Sequence, residues 1–188
     1  ASARNARLSG LTLEAIALAW NLPAETAVIR LLLEERGSVG AVYFSLADDD
    51  VDAIMAAEWV AVGSDGRGMS VAQDGDAATH PRSYGTFPRV LGRYVRERGL
   101  LSLPAAVRKM TGVPAERLGL ADRGMVRPGC VADLVLFDPA TIRDCADFAH
   151  PHQYPIGVEH GFVNGRPGIR NARLTGETPG RVLRKVRA

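Results

Sequence analysis

Two charged side chains, those of Asp65 and Arg82, are placed where they could act on a substrate. Asp65 lies in a polar turn directly after the apolar residues 59–63. In parallel α/β folds the loops at the carboxyl ends of strands carry the chemistry, and a carboxylate there can accept and return a proton. Arg82 offers a planar guanidinium that binds a carboxylate through two hydrogen bonds. From spacing alone, an Asx turn is the simpler interpretation of Asp65, and a solvated position stays open for Arg82.

Other motifs that resemble functional sites are less informative. His150 and His152 repeat a His-x-His metal motif, but they lie in a proline-rich connection, so we interpret them as structural or surface residues. Cys130 and Cys145 do not have metal-ligand spacing. Residues 66–68 are too short a glycine motif for a phosphate loop. These patterns therefore predict no metal ligands in the chain.

The composition describes a globular protein with room for one substantial core. Of the 188 residues, 46% are hydrophobic and 23% are charged. The net charge of +2 is too balanced to make nucleic acid the expected partner. No apolar run approaches the roughly 20 residues that span a bilayer, so no membrane partner is expected. Reduced cysteines and the lack of an apolar signal-peptide core predict a cytoplasmic protein.

Helices and strands alternate through the first part of the chain. Apolar side chains recur with helical periodicity over residues 12–20 and 23–36. Residues 39–46 predict a strand because they are aromatic and β-branched, and the acidic run 48–50 predicts the start of a helix. Residues 59–63 predict a second strand that is apolar at every position, as in a strand buried on both faces. This order has the rhythm of a parallel α/β fold.

The middle of the chain predicts a loop and then helices. Residues 66–79 are rich in Gly, Asp and Ala without periodicity, which is typical of a long loop that serves as a lid. Helices are expected at residues 88–99 and 103–111. A shorter helix begins at Pro114 and ends near Gly119.

The last third predicts a small appended sheet. Residues 132–138 and Val158–Val163 read as strands, and Asn164-Gly165 is a strong hairpin signal. The change of pattern places a domain boundary near residue 122. The tail from Arg166 is basic and ends in a helix-like run; because it lacks interleaved aromatic residues, we expect it to be solvated or to face a subunit.

Two motifs around the candidate residues, together with later segments, resemble one enzyme family. The motifs are Val62-Gly63-Ser64-Asp65-Gly66 and His80-Pro81-Arg82-Ser83-Tyr84-Gly85-Thr86-Phe87-Pro88-Arg89. The later segments are residues 109–112, 124–129, 132–135, 137–139, 163–165, 175–176 and 180–183. Together they resemble the N-acyl-D-amino-acid deacylases (D-aminoacylases) of the amidohydrolase superfamily, over almost the whole chain.

The resemblance implies an α/β fold that is only part of a complete enzyme. Residues 1–122 would be the last strands and helices of a (β/α)8, or TIM, barrel, and residues 123–188 a β-sandwich segment with a basic tail. A barrel alone takes roughly 250 residues. The family's metal ligands lie upstream of the part that this chain resembles. The resemblance therefore implies a missing N-terminal portion or a second chain, and an oligomer that covers the exposed barrel edges.

The resemblance also assigns roles to individual residues. Zinc, bound mainly outside this chain, would activate water for hydrolysis of the N-acyl bond of N-acyl-D-amino acids. Asp65 would be the catalytic acid and base, and Arg82 would bind the substrate's α-carboxylate. Leu46 would line the pocket for the substrate side chain, although a core leucine is as good an interpretation. His80 and Tyr84 would support the substrate-binding loop.

Two other functions stay open. The same fold could hydrolyse a cyclic amide, as hydantoinases and dihydropyrimidinases do. The chain could also be a non-catalytic scaffold subunit.

Overall fold

A computed structural model describes residues 4–69 and 79–184. The chain forms two compact units, Ala1–Ser45 and Leu46–Ala188. Over the described ranges, no single helix is long and apolar enough to cross a membrane. The helices Leu13–Trp20 and Ala24–Glu34 have that length and composition when they are taken together, across a bend of 91°.

The first unit is built on two helices, α1 (Leu13–Trp20) and α2 (Ala24–Glu34), which follow a short 3₁₀ turn at Ala6–Leu8. The Thr12 hydroxyl accepts a hydrogen bond from the Ala15 N–H at 3.2 Å and caps α1. Ala27 is fully buried in α2. Both helices confirm the prediction from apolar periodicity.

Residues 39–46 do not form the predicted strand. They pair with no strand among the described residues, and Tyr43 and Phe44 are 84% and 78% exposed. A strand is held by backbone hydrogen bonds to a neighbouring strand, and its own apolar sequence does not provide that neighbour. The prediction from composition was therefore wrong for this chain by itself.

The second unit begins with α3 (Asp48–Ala56), whose first turn contains Asp48, Asp49 and Asp50, as predicted. Residues 59–63, predicted as a buried strand, pair with no strand among the described residues, and Trp59 lies in a turn. The Val62 N–H donates to the Lys109 carbonyl at 3.1 Å, which attaches this segment to a helix instead. As at residues 39–46, apolar sequence alone does not make a sheet.

A long helix follows, with α4 (Arg82–Arg89) continuing directly into a π-helix (Val90–Glu97). The sequence placed the start of this helix at Pro88, which is wrong because Pro88 lies inside α4. A proline within a helix removes one backbone hydrogen bond and displaces the preceding turn, and the wider π-helical turns begin two residues later. The earlier start places Arg82 in the first turn of α4.

Two shorter helices complete the helical part, α5 (Leu103–Met110) and α6 (Gly112–Leu118). The Ser102 hydroxyl caps α5 by accepting from the Ala105 N–H at 3.3 Å. Both helices agree with the sequence prediction within a few residues. Helix α5 packs against the π-helix through a buried cluster that consists of Val90, Leu91, Leu101, Ala106 and Ile142.

A four-stranded antiparallel sheet forms the last part, in the order β1 (Leu134–Phe137), β2 (Val158–Val163), β3 (Arg166–Arg170) and β4 (Arg173–Leu174). The turn Asn164-Gly165 joins β2 to β3 with φ of 50° and 76°, as a two-residue hairpin requires. Strands β3 and β4 were not predicted, because the basic residues from Arg166 onwards were interpreted as a tail. The end of that tail, residues 185–188, lies outside the described residues.

The segment that carries Ile142 joins the helices to the sheet. Ile142 is 1% exposed, and its carbonyl accepts a hydrogen bond from Arg96 Nη1 at 2.6 Å. Gly92 allows this approach, because a Cβ at that position would lie 2.9 Å from the Ile142 carbonyl oxygen. The predicted boundary near residue 122 falls within this unit and stays a prediction. The observed fold is α/β with a small antiparallel sheet.

Replacement of Gly92 by alanine tests the junction. We expect Gly92→Ala to lower the free energy of unfolding by about 1–3 kcal/mol, because the added Cβ meets backbone that must move. Urea denaturation gives the value. Gly168→Ala, at a position with open space, is the control and should change stability by less than about 0.5 kcal/mol. Equal stability of the two variants would contradict this packing.

Candidate functional site

Asp65 occupies a tight turn in a backbone conformation that projects its side chain outward. Its φ is +46°, in the left-handed region that Asp tolerates better than most residues. The side chain that closes the turn belongs to Ser64, whose Oγ accepts from the Gly66 N–H at 3.2 Å. The turn is therefore not the Asx turn that spacing suggested, and the Asp65 carboxylate is available for another contact.

That contact is with Arg82, which binds Asp65 at two points. Arg82 Nη2 lies 2.7 Å from Asp65 Oδ2, and Arg82 Nε donates to the Asp65 backbone carbonyl at 2.9 Å. The side chains of Asp65 and Arg82 are 84% and 45% exposed. An exposed ion pair contributes about 0–1 kcal/mol, so another carboxylate can exchange with it.

The turn and the start of α4 are packed closely together. A Cβ on Gly66 would lie 2.9 Å from the Ser83 Cα and 3.3 Å from the Arg82 carbonyl oxygen. The Arg67 N–H donates to Ser83 Oγ at 3.3 Å, and Ser83 Oγ is also 3.3 Å from Thr79 Oγ1. The distance between Asp65 and Arg82 is therefore set by backbone contact as well as by charge.

His80 lies beside Arg82 and is held as a neutral ring. Its Nδ1 accepts the Arg82 N–H at 3.1 Å, which requires that nitrogen to carry no proton. Partial burial lowers the pKa of His80 below 6.5, the Arg82 guanidinium lowers it further, and Asp65 acts in the opposite direction. The ring meets Phe148 edge to face, with centroids 5.1 Å apart.

Tyr84 is buried and connects α4 to the loop before β2. Its hydroxyl is 3.2 Å from His152 Nδ1, and its ring packs edge to face against His152 and Tyr154. His152 therefore has the structural role that the sequence assigned to it, but next to a predicted site residue. No motif indicated this, because 68 residues separate the two partners along the chain. His150 is a surface residue whose side chain is 75% exposed.

Leu46 is the predicted site residue that these contacts do not include. It is 70% exposed and lies two residues before α3. Its role in a pocket stays a prediction. The contacts bring together Asp65, Arg82 and His80, with Tyr84 behind them on the same helix as Arg82. Residues 70–78 of the predicted lid lie outside the described residues.

The described residues contain no group of three or more His, Cys, Asp or Glu side chains that could hold a metal ion. Cys130 and Cys145 are free cysteines. The arrangement provides one exposed carboxylate, one guanidinium and one neutral imidazole. Such a set can transfer a proton and bind an anionic group, and it does not by itself form a metal centre.

Comparison with known proteins gives one consistent result. Residues 15–168 match the model of the amidohydrolase family Amidohydro_3. A D-aminoacylase from Alcaligenes xylosoxydans xylosoxydans is 45% identical over 157 residues, which are 84% of this chain and 31% of that protein.

Solved structures show the same similarity. The N-acyl-D-glutamate deacylase from Bordetella bronchiseptica, complexed with zinc and a phosphonate inhibitor, has a TM-score of 0.75 and 40% identity over 87% of this chain and 32% of its own. A D-aminoacylase structure that concerns a binuclear metal centre has a TM-score of 0.78 and 43% identity over 91% of this chain and 34% of its own. The chain thus spans about a third of the length of these relatives.

The electrostatics of the site predict that substitutions of Arg82 and of Asp65 shift the pKa of His80 in opposite directions. Arg82→Gln should raise this pKa, because it removes a positive neighbour. Asp65→Asn should lower it, because it removes the negative one. NMR titration of the His80 ring protons measures both, with the His160 ring signals on β2 as the internal reference. Shifts of the same sign in the two variants would contradict the arrangement.

Proposed function

The chain belongs to the amidohydrolase family, and we propose that it supplies part of the active site of an N-acyl-D-amino-acid deacylase. The observation that carries the proposal is the two-point contact between Arg82 and Asp65. It joins the two motifs that resemble the deacylases. Relatives named D-aminoacylase and N-acyl-D-glutamate deacylase, at 45% and 44% identity, support the reaction class.

Asp65 is the proposed acid and base of amide hydrolysis. Water attacks the acyl carbon, and the carboxylate of Asp65 accepts a proton from that water. The same proton then passes to the nitrogen of the leaving amino acid, which otherwise departs as an unstable anion. The left-handed turn supports this role because it leaves the carboxylate 84% exposed at the end of the segment.

Arg82 is the proposed partner of the substrate's α-carboxylate. In the structure the guanidinium uses Nε and Nη2 for Asp65. A guanidinium carries five N–H donors, so it can also present its outer edge, formed by Nη1 and Nη2, to a second carboxylate. That geometry would hold the substrate next to the proposed base. The neutral His80 and the buried Tyr84 are proposed to support the backbone around Arg82, and Leu46 to line the pocket for the substrate side chain.

The zinc that hydrolysis needs is proposed to be bound by residues outside this chain. The family's ligand motifs lie upstream of the part that this chain resembles, and relatives have been solved with zinc and with a binuclear metal centre. Such a metal would activate water and polarise the acyl carbonyl. The described residues contain no group of three or more candidate ligands, and we assign no step of the reaction to a metal site of this chain.

The two predicted strands that are unpaired here, residues 39–46 and 59–63, are proposed to belong to a (β/α)8 barrel that another portion of the enzyme completes. Residues 39–46 and 59–63 are rich in exposed apolar side chains, with Val42, Tyr43, Phe44 and Trp59 all more than 40% exposed. Unpaired apolar segments of this kind need a partner to cover them. An N-terminal portion, as a second chain or a continuous segment, would do so, in a cytoplasmic and oligomeric enzyme.

Substitution of the two charged residues in the complete enzyme tests the proposal. Asp65→Asn should lower kcat by about 10²–10⁴-fold, because a neutral amide cannot accept the proton. Steady-state hydrolysis of N-acetyl-D-amino acids gives kcat and KM. Near-normal turnover of the variant would remove the proposal and would favour a scaffold role.

Arg82→Lys separates the deacylase from a cyclic-amide hydrolase. We expect kcat/KM for substrates with a free α-carboxylate to fall by about 30- to 100-fold, because lysine cannot replace the bidentate contact. Substrates without that carboxylate, such as hydantoin, should change by less than about threefold. An equal loss for both classes would contradict the role of Arg82 as the carboxylate partner.

Complementation tests the proposed partner and the location of the zinc ligands. We expect this chain, co-expressed with the N-terminal two thirds of the Alcaligenes D-aminoacylase, to elute with it as one complex that contains zinc. The chain alone should elute as aggregates or oligomers without stoichiometric zinc. Size-exclusion chromatography with metal analysis gives both readouts. A monomeric chain that binds zinc tightly by itself would overturn this part of the proposal.

A further inference from the structure

Lys109 is a buried cation that the proposed reaction does not use. It lies in the last turn of α5 and is 4% exposed. Burial of an ammonium group is strongly unfavourable unless hydrogen bonds replace those lost to water. A side chain that only fills space at this position would be apolar, so the contacts that Lys109 makes explain its presence.

Those contacts all go to one segment. Lys109 Nζ donates to the carbonyls of Ala57 and Val60, the latter at 3.0 Å. The Lys109 backbone carbonyl accepts the Val62 N–H at 3.1 Å. The Ala57 carbonyl also accepts the Val60 N–H at 3.2 Å, so the ammonium group closes a turn that follows the end of α3. A cation at the carboxyl end of a helix is also favoured by the helix dipole.

This segment leads directly to Asp65. Asp65 is three positions after Val62, a distance of at most about 10 Å along the chain. Helix α5 itself is anchored by Ala106, which is fully buried in the core cluster. The attachment by Lys109 therefore connects the Asp65 turn to the core through the residues that precede Asp65. Arg82 is connected to the core separately, through α4.

We propose that Lys109 is a positioning residue for Asp65. Its ammonium group and its carbonyl set how far the segment 57–62 extends, and so where the Asp65 carboxylate lies relative to the reacting atoms. The inference rests on the proposed function of Asp65. A displacement of about 1 Å at a catalytic group can cost about 100-fold in rate, so the effect on turnover should be large.

A double-mutant cycle in the complete enzyme tests the inference. We expect Lys109→Met to lower kcat by about 10- to 100-fold with less than a threefold change in KM, because Arg82 lies on another helix. In the Asp65→Asn background, Lys109→Met should lower the residual kcat by less than twofold. The asparagine cannot transfer the proton, so its displacement has no further effect on turnover. Arg108→Met, at the exposed neighbouring position, is the control and should leave kcat unchanged.

Chemical rescue keeps the test decisive if the methionine variant unfolds. Lys109→Ala removes the side chain beyond Cβ, and n-propylammonium has the size and charge of the missing part. We expect the amine to restore kcat of the alanine variant saturably, while the far-UV circular dichroism stays constant as the amine is withdrawn. Loss of fold together with turnover, or equal losses of kcat with and without Asp65, would overturn the positioning role. Normal turnover of Asp65→Asn would instead overturn the proposed function itself.

Discussion

The two-point contact between Arg82 and Asp65 is the interaction on which the candidate site depends. One nitrogen of the guanidinium binds the carboxylate and another binds the backbone carbonyl of the same residue. The ion pair is exposed and therefore weak. Its geometry comes from the backbone around it, because the Gly66 turn and the first turn of α4 approach too closely for a side chain between them. The positions of the two charged groups therefore depend more on backbone packing than on the strength of the ion pair.

Arg82 and Asp65 are both connected to one core cluster. The π-helix that follows α4 contributes Val90 and Leu91 to this cluster, and α5 contributes Ala106. Arg82 is thus connected to the core through its own helix, and Asp65 through the segment that Lys109 holds. Ile142 joins the antiparallel sheet to the same cluster. Both charged residues are therefore connected to the same core cluster, in addition to their direct backbone contact at Gly66.

The four-stranded sheet forms within this chain, whereas residues 39–46 and 59–63 stay unpaired, and this difference has a simple physical origin. Strands β2 and β3 pair across a two-residue turn, so their hydrogen bonds form between neighbours in sequence. Residues 39–46 and 59–63 have the composition of parallel strands, and a parallel strand needs a partner that is distant in the chain. Where that partner belongs to another portion of the enzyme, as we propose, the segment stays unpaired and its apolar side chains stay exposed.

The sequence by itself determined the local elements and the motifs. Apolar periodicity identified the first two helices, and Asn164-Gly165 identified the hairpin, because these signals act within a few residues. The motifs around Asp65 and Arg82 indicated the family, and the comparisons confirm it. Only the tertiary structure decided that Arg82 binds Asp65, that His152 meets Tyr84, and that Lys109 is buried against residues 57–62. These contacts join residues 17 to 68 positions apart, and such pairings depend on packing that no local pattern encodes.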